Sequence, residues 1–144
     1  MEDKRSKRSI AREQAFILIF EKSFNADTSI NELVDFAHET ELFDADPFAV
    51  KSATLTLEHQ NEIDEIITPK LRGWTLSRIS KVSLAVLRLA VCEMKFMDDI
   101  PVGVTINEAV NLAKAYGSDR DPKFVNGLLS AIKNAKPDEQ EEDA

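Results

Sequence analysis

An all-α fold of six or seven helices is what this sequence predicts, and three observations carry the prediction. Apolar residues recur three and four positions apart through most of the chain, the spacing of one helical face. Glycine and proline are scarce, 4 and 5 in 144 residues, which favours long regular elements over a loop-rich β architecture. No segment of useful length alternates apolar with polar residues, since the β-branched stretch 102–106 is short and abuts a helix-start signal. A chain of 144 residues supports one core rather than two ordinary domains. Residues 1–137 therefore read as a single helical domain, and 138–144 as an acidic disordered tail.

The elements follow in order. The first helix is expected from about Ser6 to Phe24, burying Ala15, Phe16, Ile19, Phe20 and Phe24. After a break at Asn25-Ala26-Asp27, Ser29 and Glu32 form a capping box for a second helix to about Glu41. Asp46-Pro47 pairs an N-cap acceptor with proline at the first helical position, and this third helix is expected to reach Ile67 through a polar middle around His59. Leu71–Ile79, with Gly73 and Trp74, reads as one or two helical turns. Lys81–Phe96 is apolar almost all round, as a central buried helix should be. Its two charges, Arg88 and Glu93, stand five residues apart and should find structural partners on other helices. Thr105 and Glu108 suggest a capping box for a helix ending at Tyr116, with Gly117 in the C′ position. Asp121-Pro122 starts the last helix, in which Gly127 is expected to allow close helix packing.

Composition narrows the function classes. One cysteine, Cys92 in an apolar run, permits no internal disulfide and fits a reducing, cytoplasmic setting. His38 and His59 are isolated, and there is no HExxH, cysteine pair or glycine-rich phosphate loop, so no enzyme, metal or cofactor reading has support. The net charge of −8 excludes a protein that coats nucleic acid over its whole surface. Yet five bases, Lys4, Arg5, Lys7, Arg8 and Arg12, stand in the first twelve residues, and Asp138, Glu139, Glu141, Glu142 and Asp143 crowd the other end.

Arg5, Arg8 and Arg12 share a helical stripe that continues as Phe16, Phe20 and Phe24. Positive charge in the first turns of a helix opposes its dipole by about 0.3–1 kcal/mol per charge, so helix stability does not favour the arrangement, whereas binding to a polyanion does. A second cluster is the loop from Tyr116 to Phe124, where two aromatics flank Arg120 and Lys123. Cation beside aromatic is the combination that holds unpaired bases by stacking and phosphate contact.

Longer blocks then resemble a known family. Arg8 to Phe20, Trp74 to Ile79, Leu87 to Met94, Ile106 to Lys114 and Lys123 to Leu129 are similar, in order and separation, to the NusB family of bacterial transcription antitermination factors. The resemblance covers about residues 6–24 and 63–132, and its Ile-Asn-Glu-Ala and Lys-Phe-Val-Asn-Gly blocks are highly specific. It implies a NusB-like fold of two small packed bundles and no catalysis. It also implies pairing with NusE, a small-subunit ribosomal protein, and binding of single-stranded boxA-type RNA in nascent ribosomal RNA transcripts within the elongation complex. By the same resemblance the RNA contacts are Arg8 and Arg12, with neighbours Arg5 and Lys7, and Tyr116, Lys123 and Phe124, to which Lys4 of the basic stretch and the loop cation Arg120 are added. Two departures stand out. Ser9 and Ile10 thin the basic cluster, and Ser83-Leu84 replaces an acid–base pair on the surface the family uses for NusE, which predicts weaker or differently placed partner contacts. A protein-only helical adaptor for a ribosomal or polymerase partner, and a weak homodimer that hides the basic face, stay open as alternatives.

Overall fold

The computed structural model describes residues 5–135, so Lys4 and the acidic segment 138–144 lie outside the described residues. Within that range the fold is all-α. The helices are α1 (Lys7–Phe24), α2 (Ile30–Glu39), α3 (Pro47–Glu58), α4 (Gln60–Ile67), α5 (Lys81–Phe96), α6 (Val102–Tyr116) and α7 (Asp121–Asn134), with 3-10 turns at Thr68–Lys70 and Leu76–Arg78. Side-chain caps set several of the starts. Ser6 accepts the Ser9 N–H, Ser29 and Glu32 form the reciprocal capping box, Asp46 accepts from Phe48, and Ser80 accepts from Ser83.

Helix α5 is central because its sequence leaves it no polar face: ten of its 16 residues are buried. It touches α1 and α3 on one side and α4, α6 and α7 on the other. One continuous core runs through both groups, from Phe16, Leu18 and Ala53 to Leu87, Leu112 and Leu129.

The two charges of α5 have partners on other helices, as their spacing predicted. Arg88 donates from Nε and Nη2 to the Asp64 carboxylate on α4, both at 2.9 Å. Glu93, 1% exposed, takes Arg12 Nε of α1 at 3.0 and 2.9 Å on its two oxygens, and Thr105 Oγ1 of α6 at 3.0 Å. Arg12 is itself only 4% exposed, and its Nη1 lies 3.9 Å from Glu108 of α6. One carboxylate thus joins α1, α5 and α6.

Several expectations are corrected. The third helix does not run through to Ile67. It breaks at His59, whose ring stacks on Phe96 of α5 at 4.0 Å, and α4 starts at the next residue. Helix α6 begins at Val102 rather than after Thr105, so Thr105 is an interior residue whose hydroxyl serves Glu93 instead of a capping box. Gly117 is extended, with φ −100°, and not in the left-handed cap conformation. The start expected at Asp121-Pro122, by contrast, holds, with Asp121 the first residue of α7 and Arg120 at the N-cap position. Phe24 is 59% exposed, because the helix runs past the edge of the core. Gly127 is exposed, and a Cβ there would meet nothing within 4 Å, so close packing does not explain it.

Glu93→Ala should leave a buried guanidinium unpaired and cost about 3–5 kcal/mol. Thermal or urea unfolding would read the loss. The double change Arg12→Met with Glu93→Leu should recover most of it, and a Glu93→Ala variant as stable as the parent would contradict the assignment.

Candidate nucleic-acid interface

The fold brings the first residue of the loop, Tyr116, to the basic start of α1. Arg5, just before α1, forms a fork with Glu13, Nη1 to Oε2 at 2.9 Å and Nη2 to Oε1 at 3.1 Å. Glu13 also bonds the hydroxyl of Tyr116 at the end of α6. The Tyr116 ring packs on Phe16 of α1, centroids 4.9 Å apart, while 42% of the residue stays exposed. Burial, and then the Glu13 carboxylate, push the Tyr116 hydroxyl above its ordinary pKa, with Arg5 pulling the other way. Arg5, Glu13 and Tyr116 are therefore one cluster, although more than a hundred residues separate its ends.

The other basic residues divide. Lys7 is exposed on the first turn of α1. Arg8 is exposed and lays its guanidinium over the Phe48 ring of α3, 3.9 Å from the centroid, which orders a long side chain without using its hydrogen-bond donors. Arg12 does not belong with them. It is buried on Glu93, so its place on the basic stripe continues into the core rather than onto the surface. Lys4 lies outside the described residues. Arg120 and Lys123 are exposed, and Phe124 is half-buried against the core, so Tyr116 is the aromatic of the loop with an open face.

The loop is held by the acid that opens α7. Asp121, 8% exposed, accepts on Oδ1 from Ser80 Oγ at 2.8 Å and Ser83 Oγ at 2.6 Å. On Oδ2 it accepts from the Ser118 N–H at 2.7 Å and the Ser118 hydroxyl at 3.1 Å. Burial by itself would raise the Asp121 pKa, but the four donations outweigh it and hold the carboxyl below its ordinary value. Gly117 is required by the same contact. A Cβ there would stand 2.6 Å from Asp121 Oδ2 and 2.8 Å from the Ala113 carbonyl oxygen. Ser83 and Leu84 are correspondingly buried, so they offer no surface to a partner, contrary to the reading of those positions as part of one.

Glu13, Phe48 and Asp121 were missed because each acts across the fold. The one sequence signal for them was Asp121-Pro122, which is shared by any helix start. The remaining polar candidates are structural. His38 pairs with Asp44 on the surface, His59 stacks on Phe96, and burial pushes the Cys92 thiol up. Among the described residues no group of three His, Cys, Asp or Glu could hold a metal ion, and no helix is long and apolar enough to cross a membrane.

A model of the NusB family matches residues 9–134. The transcription antitermination protein NusB of Bacillus subtilis (strain 168) is 44% identical over 128 residues, 89% of this chain and 95% of that protein. The NusB of Agathobacter rectalis is 40% identical over 126 residues, 85% of this chain and 96% of that protein. Among solved structures, Thermotoga maritima NusB ("T. maritima NusB, P3121, Form 2") superposes with a TM-score of 0.79 at 34% identity, covering 96% of this chain and 99% of that one. A crystal structure of antitermination factors NusB and NusE in complex with dsRNA matches with a TM-score of 0.78 at 31% identity, covering 90% and 97%.

Asp121→Asn should cost about 2 kcal/mol at neutral pH, because an amide presents donors where four donors converge. The depressed carboxyl contributes stability that is complete above about pH 3.9, the ordinary aspartate value, and is lost as pH falls through its folded value. Thermal midpoints of parent and variant, followed from about pH 7 to about pH 2, should therefore converge on acidification. A constant gap would mean that the charge of Asp121 contributes nothing. Gly117→Ala should destabilise by a similar amount through the clash with the same carboxylate.

Proposed function

The chain belongs to the NusB family, and from that premise we propose that it is a transcription antitermination factor, a regulatory protein and not an enzyme. It acts in the bacterial cytoplasm, on nascent ribosomal RNA, as one half of a pair with NusE in the elongation complex. Its RNA is single-stranded and boxA-like. The observation that carries the reading is the Arg5–Glu13–Tyr116 cluster, which sets a basic helix end beside an aromatic with a free face. Arg5, Lys7 and Arg8 at the start of α1, with Arg120 and Lys123 in the loop and first turn of α7, supply phosphate contacts. Tyr116 offers a ring on which an unpaired base can stack, an interaction worth about 1–3 kcal/mol. Arg12 supports this surface from below, by fixing α1, and does not touch RNA.

The protein partner has a different surface available. Phe24 is exposed, meets Phe20 edge-on at 5.1 Å, and lies 6.0 Å from Lys81 Nζ. An apolar patch beside a lysine at the start of α5 is a fitting site for NusE, two residues before the buried Ser83.

Titration of boxA-type RNA at several salt concentrations tests both surfaces. Five exposed cations predict a log–log salt slope no steeper than about −3.5 for a single strand, and Arg8→Ala should flatten it by about 0.7. Tyr116→Ala should weaken binding about tenfold at any salt, as loss of one stacked base does. Phe24→Glu should reduce the gain in RNA affinity that NusE confers and leave binding by the chain alone unchanged. No RNA binding with or without NusE, together with intact NusE pairing, would establish the protein-only adaptor instead.

A further inference from the structure

Helices α6 and α7 run antiparallel and enclose a surface groove of about 460 Å³. Its polar side chains are Lys123, Asn126, Ser130 and Lys133 on one side and Asn107 on the other, and no acid is among the lining residues. That is notable in a chain of net charge −8. The lysines stand at opposite ends, about 15 Å apart along α7. The end near Lys133 is also the start of α6, where no side chain caps the helix and the first turn holds no acid. First-turn N–H groups have no partner within their own helix and attract negative charge. Gly103 leaves that turn open, since a Cβ there would meet nothing within 4 Å.

The chain itself delivers a matching polyanion to this place. Helix α7 ends at Asn134, one residue after Lys133, and the nine residues from 136 to 144 include five acids. Fully extended, nine residues span about 30 Å, twice the distance from Lys133 to Lys123. A segment tethered this closely has an effective concentration of about a millimolar, well above that of an RNA in trans. We propose that the acidic segment 138–143 docks in the α6–α7 groove, with its first acids at the open start of α6 and its last acids toward Lys123. The segment lies beyond the residues matched by the family model. Its consequence for RNA rests on the proposed role of Lys123. A docked segment occupies one cation of that interface and sets a threshold that only RNA engaging the whole surface overcomes.

The test compares the full chain with a variant carrying D138N, E139Q, E141Q, E142Q and D143N. Amide NMR spectra at low salt should show shifts at Gly103, Asn107, Asn126 and Ser130 between the two, and the differences should vanish near 1 M salt, where the Debye length is about 3 Å. Lys133→Glu should shift the same amides toward the undocked positions. BoxA-type RNA should bind the neutralised chain about fivefold more tightly at low salt, the equivalent of one well-formed surface ion pair. Groove amides that do not respond to the five substitutions would overturn docking. So would an RNA that moves these amides equally in both proteins while the substitutions alone do not, because the groove would then be an RNA site. If the substitutions move the amides and neither protein binds RNA, the docking stands and the RNA-binding proposal falls.

Discussion

The buried pair of Arg12 and Glu93 is the contact on which the rest of the molecule depends. Removing two charges from water costs several kcal/mol per ion, and their attraction offsets that only with good geometry and further hydrogen bonds. Here the Glu93 carboxylate is met by Arg12 Nε and by the Thr105 hydroxyl, and the far side of the guanidinium lies near Glu108. The pair contributes less to net stability than to choice of arrangement. An apolar core would accept α1 at more than one rotation or register, whereas a single arginine on its inner face admits the one that reaches Glu93. That register sends Arg8 to Phe48 and brings Glu13 up to Tyr116.

A second anionic centre, Asp121, does for the loop what Glu93 does for α1. Its four donors come from the start of α5 and from the loop itself, so the turn between α6 and α7 is tied to the central helix. The two carboxylates act from opposite ends of α5, Asp121 on Ser80 and Ser83 and Glu93 within the helix. Both surface clusters are therefore referenced to one buried element. A basic end and a loop 110 or so residues away keep a constant separation because each is bonded to α5 or to a helix packed on it.

The helical architecture was legible because it rests on local signals. Ser29 with Glu32, and Asp46 with Pro47, announce helix starts through contacts within one turn, and both hold in the structure. The run from Leu84 to Met94 announces burial through composition alone. What was not legible is what depends on partners distant in the chain. Arg12 looked like its basic neighbours, and only the arrival of Glu93 from residues 81 positions away makes it a core residue. Thr105 had a plausible local capping role, and a tertiary partner took its side chain. Gly127 shows the opposite failure: a packing role was expected, and the structure gives it none.

The loss of Arg12 from the surface also bears on how such a protein can select its ligand. A chain of net charge −8 repels a polyanion at long range, so attraction must come from cations that act within about a Debye length, roughly 8 Å at physiological salt. The proposed interface offers few of them, and two are already held: Arg5 is engaged with Glu13, and Arg8 is ordered by Phe48. Sparse, pre-positioned cations give weak non-specific binding, because non-specific affinity scales with the number of phosphates neutralised. They leave the contacts that depend on ligand shape, such as the base stacking proposed for Tyr116, to decide what binds. A protein partner that adds a few further contacts then changes occupancy sharply wherever the starting affinity is low. The burial of one arginine is in this sense as much a part of the selectivity as the exposure of the others.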